Sequence, residues 1–324
     1  MNVRPALLPL AILLIAAPLG GCAKDDDKKN STTNDSGGAW AVGEDATMIR
    51  VTPDGDVAFY PLETEGDLLA IACKGAQTGL AVGVDGVVLR TEDSGATWTQ
   101  IDVGTRATLR AVILSGAPPA YIAGSDIVLR SDDEGRSFTP VPDAEGEWTA
   151  VTTTAKGDKA WLANAAGEIW RLEGEALTPV FLNSEGPLSG IAATPDGAHL
   201  VAVGAGGLVL RSDDGGTQWA SVTAPTSRDL HAVRLARDAS VMVAVGAAGA
   251  VLRIDEQGAT AEELLDPGLA LRALHLALDG HGHAVGDHGV ALHTHDAGLH
   301  WEPLDLGIEQ ALFGLDDLHG EPHL

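Results

Sequence analysis

The chain has 324 residues, 46 of them acidic and 20 basic, for a formal charge of −26, and only 4% are aromatic. Such acidity disfavours nucleic acid and anionic lipid surfaces as partners and leaves basic proteins or metal cations.

The N-terminal segment, Met1 to Leu19, carries one charge, Arg4, ahead of an apolar stretch from about Ala6, and closes on Leu19-Gly20-Gly21-Cys22. This is the order of a signal peptide, too short for a comfortable membrane span. Leu-Gly-Gly-Cys resembles the lipobox of bacterial lipoproteins. The resemblance implies removal of residues 1–21 and lipidation of Cys22, whose several acyl chains would hold the protein stably on a membrane. An ordinary secretory signal with a chance cysteine is the alternative. Residues 22–38 are then the lipidated cysteine and a polar, small-residue tether of about 20 to 25 Å mean reach. By the same resemblance, Ala23 after the cysteine implies the outer membrane of the cell envelope rather than retention at the inner one, with neither side of that membrane specified.

Residues 39–324 are a repeat. Four stretches share one eight-residue pattern: Thr91-Glu-Asp-Ser-Gly-Ala-Thr-Trp98, Ser131-Asp-Asp-Glu-Gly-Arg-Ser-Phe138, Ser212-Asp-Asp-Gly-Gly-Thr-Gln-Trp219 and Thr294-His-Asp-Ala-Gly-Leu-His-Trp301. Their aspartates, Asp93, Asp133, Asp214 and Asp296, lie 40, 81 and 82 residues apart, which implies a unit of about 40 residues whose signature has decayed in some copies. In each pattern Asp can bond turn amides, the glycine (Gly95, Gly135, Gly216, Gly298) can take positive φ, and the aromatic (Trp98, Phe138, Trp219, Trp301) can cover the turn. A basic residue closes the strand before it. That frame recurs seven times, with the basic position at Arg50, Arg90, Arg130, Arg171, Arg211, Arg253 and His293.

An apolar run ending at Gly43, Gly83, Gly124, Asn164, Gly204, Gly246 or Gly286 precedes each basic residue, at steps of 40 to 42 residues. Each unit holds four strand candidates, as in Leu68 to Cys73, Gly79 to Val82, Val87 to Arg90 and Thr97 to Val103. The expectation is an all-β, seven-bladed β-propeller. A solenoid is the competing reading, and the ends decide against it. The first unit lacks a first strand, and the last first-strand candidate, Leu312 to Leu315, has no unit of its own. That C-terminal strand completes the N-terminal blade and leaves no open sheet edge.

The fullest copies of the frame, Val82 to Trp98 and Val203 to Trp219, resemble the Asp-box (BNR-like) repeat. A single seven-bladed ring behind an export signal is similar to the photosystem II stability/assembly factor-like family. The resemblance implies a non-enzymatic assembly factor that docks other proteins. The chain is accordingly expected to be a monomer with a protein partner and no cofactor, its acidity already setting nucleic acid aside. One departure is plain: photosynthetic members are associated with a basic patch, whereas this chain is acidic. The basic ring is either a ring of contacts or, as a feature every blade shares, a set of structural pairs with carboxylates.

A carbohydrate-active or ligand-binding propeller of the glycosidase class is the alternative function. Sialidase chemistry needs an arginine cluster, a tyrosine nucleophile with a carboxylate partner and an acid/base aspartate. The two tyrosines, Tyr60 and Tyr121, have no such surroundings in the sequence. No catalytic residue is assigned. Cys73, the only cysteine besides Cys22, reads as a small buried residue in a strand.

Two surface features remain. The face bearing the second-to-third-strand turns and the links between blades gathers acids, among them Asp85, Asp126, Asp143 and Glu145, which suggest a docking surface for a basic partner. Blade seven holds seven of the eleven histidines. Within it His281, His283 and His295 form a candidate set for Zn²⁺, Ni²⁺ or Cu²⁺, while solvated surface is the plainer explanation.

Overall fold

A computed structural model describes residues 38–51, 56–75, 77–277 and 279–317. The expected signal peptide, Cys22 and all of the tether before Gly38 lie outside the described residues. The rest is seven antiparallel sheets of four strands each, arranged as blades of a propeller. Blade two is typical, with Leu68–Lys74 innermost, then Thr78–Gly83, Val88–Thr91 and Thr99–Gln100. Blade one takes Ala39–Gly43, Met48–Val51 and Val57–Phe59 from the N-terminal side and its innermost strand, Leu312–Asp317, from the C-terminal side. The closing register runs from Ala39 opposite Asp317 to Gly43 opposite Leu312. Innermost strands of adjacent blades pack on one another around the ring, and at the seam Leu312–Asp317 sits between Leu271–Leu276 and Leu68–Lys74.

Alternation along the strands sends apolar side chains to both faces of each blade, so the core lies between blades rather than within one. Among the described residues it forms seven apolar clusters, one per interface. Trp40, Met48, Leu68 and Ile71 fill the gap between blades one and two, and Ile49, Leu306, Leu312 and Leu315 fill that between seven and one. Cys73, 1% exposed, belongs to the first of these.

The frame glycine is explained by close approach. A Cβ on Gly83 would stand 2.1 Å from the Asp67 carbonyl oxygen, and one on Gly286 1.9 Å from that of Ala270. The register shift between the two innermost strands causes this crowding, as at Leu68/Ala70. Blade four has Asn164 at the frame position, and its Oδ1 accepts from the amides of Ala166 and Glu168 at 3.1 and 2.9 Å. The sequence overestimates one kind of element. The expected strand Thr97 to Val103 shrinks to Thr99–Gln100 because the Thr97 amide and hydroxyl are bound to Asp93 instead of a strand partner.

Candidate functional site

Each eight-residue corner is closed on itself. Thr91 Oγ1 donates to Asp93 Oδ1 at 2.8 Å and accepts from Gly95 N at 3.0 Å, while Thr97 N and Oγ1 donate to the Asp93 carboxylate at 2.9 and 2.6 Å. Asp133 and Asp214 repeat the arrangement, with Ser131 and Ser212 as the hydroxyl partners. The Ser137 hydroxyl and amide, with Ser131 and Arg136, bring the Asp133 carboxyl down to about 2. At Asp296 burial works against ionisation, but the His300 hydrogen bonds prevail and its carboxyl also falls to about 2. Gly95, at φ +80°, tucks beneath Trp40 of the preceding blade, and Gly216 does the same beneath Trp161. Trp219 and Trp301 donate their indole N–H to the carbonyls of Gly216 and Gly298 at 3.2 Å. The corners are inter-blade fasteners.

The basic ring has the same character. Arg90 pairs with Glu92 at 2.6 Å and donates Nε to the Glu134 carbonyl of the next blade's corner at 3.1 Å. Arg130 pairs with Asp132 and donates to the Gly174 carbonyl at 2.7 Å. Arg253 pairs with Asp255 and reaches the Ala297 carbonyl at 3.3 Å. Arg171 and Arg211 face Glu173 and Asp213 at 3.4 and 2.9 Å, His293 faces Glu302 at 3.6 Å, and Arg50 lies over the Trp40 ring at 5.9 Å. A pair with the acid two residues on, plus a bond to the next blade, is a seam contact.

The link face carries the acids at tight turns, where Asp45, Asp85 and Asp126 take φ between +52° and +55°. Several of these carboxylates are structural. Asp126 Oδ1 accepts from Gly146 N at 3.1 Å, Asp67 Oδ1 from Asp45 N at 3.1 Å, and Asp287 holds Arg272 at 2.7 Å. Asp85, Asp143 and Glu145 are exposed and make no ion pair among the described residues.

The opposite face carries the corners and, on the axis, a cavity of about 570 Å³. Of the blade-seven histidines, His281, His295 and His300 also lie there. His281 and His295 meet edge to face with Nδ1 atoms 2.9 Å apart, as one imidazole hydrogen-bonding another. His283, on the buried strand Gly282–Gly286, is paired across the sheet with His275 and His293. Burial first, then the neighbouring imidazoles, lower its pKa to about 4. No group of three or more metal-ligating side chains forms among the described residues. Neither tyrosine is poised as a nucleophile: Tyr121 is 1% exposed with its hydroxyl pKa raised by burial, and Tyr60 packs on Trp40 with centroids 4.5 Å apart.

Four corners that lock onto the preceding blade, arginines that reach the next blade from blades two, three and six, and a shared first blade define a seven-bladed Asp-box propeller. Residues 57–302 match the family model of the photosynthesis system II assembly factor YCF48, and the chain belongs to that family. Among solved structures it is similar to YCF48 from Cyanidioschyzon merolae, at 18% identity and a TM-score of 0.61, over 79% of this chain and 96% of that one. It is also similar to a structure described as YCF48 bound to D1 peptide, at 18% identity and a TM-score of 0.60, over 76% and 89% of the two chains. These likenesses concern the fold. No curated protein matches the chain.

Proposed function

We propose that this chain is an exported, lipid-anchored propeller that acts as a non-catalytic scaffold in assembling other proteins, with a basic partner seated on the acidic arc of the link face. Family membership carries the reading, and the peptide held by the solved YCF48 relative supports a protein partner. The arc supports the partner's charge. Asp85, Asp143 and Glu145 are exposed and, among the described residues, unpaired, so their field is open to an incoming cationic surface. The signal and lipobox of the sequence support export and anchoring through Cys22.

The test is a variant with Asp85, Asp126 and Asp143 changed to Asn and Glu145 to Gln. Asn at position 126 keeps an oxygen for the Gly146 amide, so folding is preserved. Proteins captured from envelope extracts by the wild type should associate several-fold more slowly with the variant, with a flatter salt dependence. Unchanged association would move the partner to another surface. Cys22→Ser should shift the protein from the membrane to the soluble envelope fraction.

A further inference from the structure

Sheet register identifies one equivalent position on the innermost strand of every blade: the residue paired with Trp40, Leu80, Tyr121, Trp161, Val201, Val243 or His283 of the second strand. Together these residues ring the axial cavity. In blades two to five the position holds Ala72, Ile113, Thr152 and Ala192. In blades six, seven and one it holds Arg234, His275 and Asp316. All seven line the cavity, so at this level its wall is small and mostly apolar on one side and polar on the other. The blade does not need an ionisable side chain there, since four blades do without one.

Each polar member has a different degree of commitment. Asp316, 6% exposed, accepts from Cys73 N at 2.7 Å through Oδ2 and faces His275 Nδ1 at 3.2 Å through Oδ1. Arg234 is partly exposed, and its wall position turns that exposure toward the lumen. Its Nη1 donates to the neighbouring Val233 carbonyl at 3.2 Å, and among the described residues it makes no ion pair. A guanidinium confined in a narrow lumen without a paired anion is only partly solvated, and its planar fork of donors matches a carboxylate. Burial pulls the Arg234 pKa down and the Asp316 field opposes this, as expected of a cation that lacks a close counter-ion.

We propose that the axial cavity binds a ligand carboxylate carried on an apolar body, with Arg234 gripping the carboxylate and the Ala72, Ile113, Thr152 and Ala192 wall receiving the apolar part. The volume falls within the range of small-ligand pockets. A single fork beside a committed carboxylate favours one negative charge over the denser charge of a phosphate dianion. Gly75, Gly116, Ala155 and Pro195, at the first-to-second-strand turns, form the mouth on the corner face. The site is thus at the other end of the axis from the acidic arc, and it stands or falls independently of the scaffold reading. The same chemistry is offered by a free aliphatic acid and by the C-terminal residue of a peptide.

Calorimetry at low ionic strength with two matched pairs tests this: hexanoate against hexanamide, and acetyl-alanyl-leucine against its C-terminal amide. At least one carboxylate should bind the wild-type chain about ten- to a hundredfold more tightly than its amide, the worth of a charge-assisted hydrogen bond. Arg234→Gln should erase that preference and Arg234→Lys should retain part of it. Binding of hexanoate would mark a small-molecule site, and binding confined to the peptide acid a chain-terminus site. The amide comparison needs no variant, so it holds even if a substitution impairs folding. Equal binding of acid and amide, no binding of either acid at millimolar concentration, or a preference that survives in folded Arg234→Gln would overturn the proposal.

Discussion

Replacing His283 with valine should remove a defined part of the chain's loss of stability on the acid side of neutrality, leaving the part due to its hydrogen-bonded carboxylates. The position belongs to the second strand of blade seven, where the equivalent residues of other blades are Trp40, Leu80, Tyr121, Trp161, Val201 and Val243. Valine is therefore a residue the repeat already accepts. With a pKa near 4 in the folded protein against the ordinary imidazole value of 6.5, His283 stays neutral when folded while it protonates readily when unfolded. The unfolded state binds the extra proton, so stability is full above pH 6.5, falls as pH drops toward 4 and levels off below that. A difference of about 2.5 units corresponds to roughly 3 kcal/mol across the window. His300 acts in the opposite direction, because its hydrogen bond to Asp296 raises its pKa, but it is unchanged in the variant and cancels in the comparison. Urea unfolding at about pH 7.5 and about pH 4.5 reads the difference directly. The wild type should lose about 2.5 kcal/mol more than His283→Val between those conditions, since pH 4.5 does not reach the foot of the window. Equal losses, within about 0.5 kcal/mol, would mean that His283 is not held neutral by burial.

Two further comparisons address the fasteners and the seam. Gly95→Ala should cost about 1 to 3 kcal/mol more than Gly298→Ala: both sites have φ near +80°, but the new methyl meets Trp40 at 2.2 Å in the first and Val243 at 3.0 Å in the second. Equal costs in urea unfolding would show that Trp40 is not seated on that corner. Leu312→Ala, at a position 0% exposed, should cost about 2 to 5 kcal/mol, and removal of residues 311–324 should open two sheet edges and give aggregation or a much earlier melt. Unchanged melting and solubility would contradict closure through Leu312–Asp317.

The fold was legible because its determinants are local and repeated. The spacing from Gly43 to Gly286 counted the blades, and the unmatched strands at the two ends of the repeat gave the closure. The reason for each frame glycine was not legible, since the carbonyl it avoids belongs to a residue well upstream, such as Asp67 for Gly83. The fourth strand was overestimated because the bonds that consume Thr97 are made to a side chain, which a strand pattern does not register. Alternation could not rank the histidines by burial. It placed His281 and His283 on one side, but it could not show that one meets His295 at the surface while the other sits on a buried strand. The axial ring escaped notice altogether, although it keeps a near-constant offset from the frame residue, as Ala72 does from Gly83 and Arg234 from Gly246. A column of residues at that offset would have exposed the change from alanine to charge.

That column shows where pseudo-symmetry is informative. A residue type that recurs from blade to blade answers a need the blades share, and the seam arginines and corner aspartates are accordingly engaged by their own or the next blade's groups. The axis is different, because seven equivalent positions converge on one space that can be filled only once. There the repeat's tolerance for Ala72 or Ala192 shows that packing requires little, so the change to Arg234, His275 and Asp316 in three successive blades is not explained by what the blades share. The link face follows the same logic: its turns accept Gly206 and Ala248 in some blades and Asp85 and Asp126 in others at similar positive φ. Backbone geometry therefore leaves the charge at those turns open, and selection for a surface property can set it. The two ends of the axis diverge from the repeat in opposite chemical senses, a confined cation at one and exposed carboxylates at the other, so the ring can present two unlike ligands with distinct faces of one rigid body.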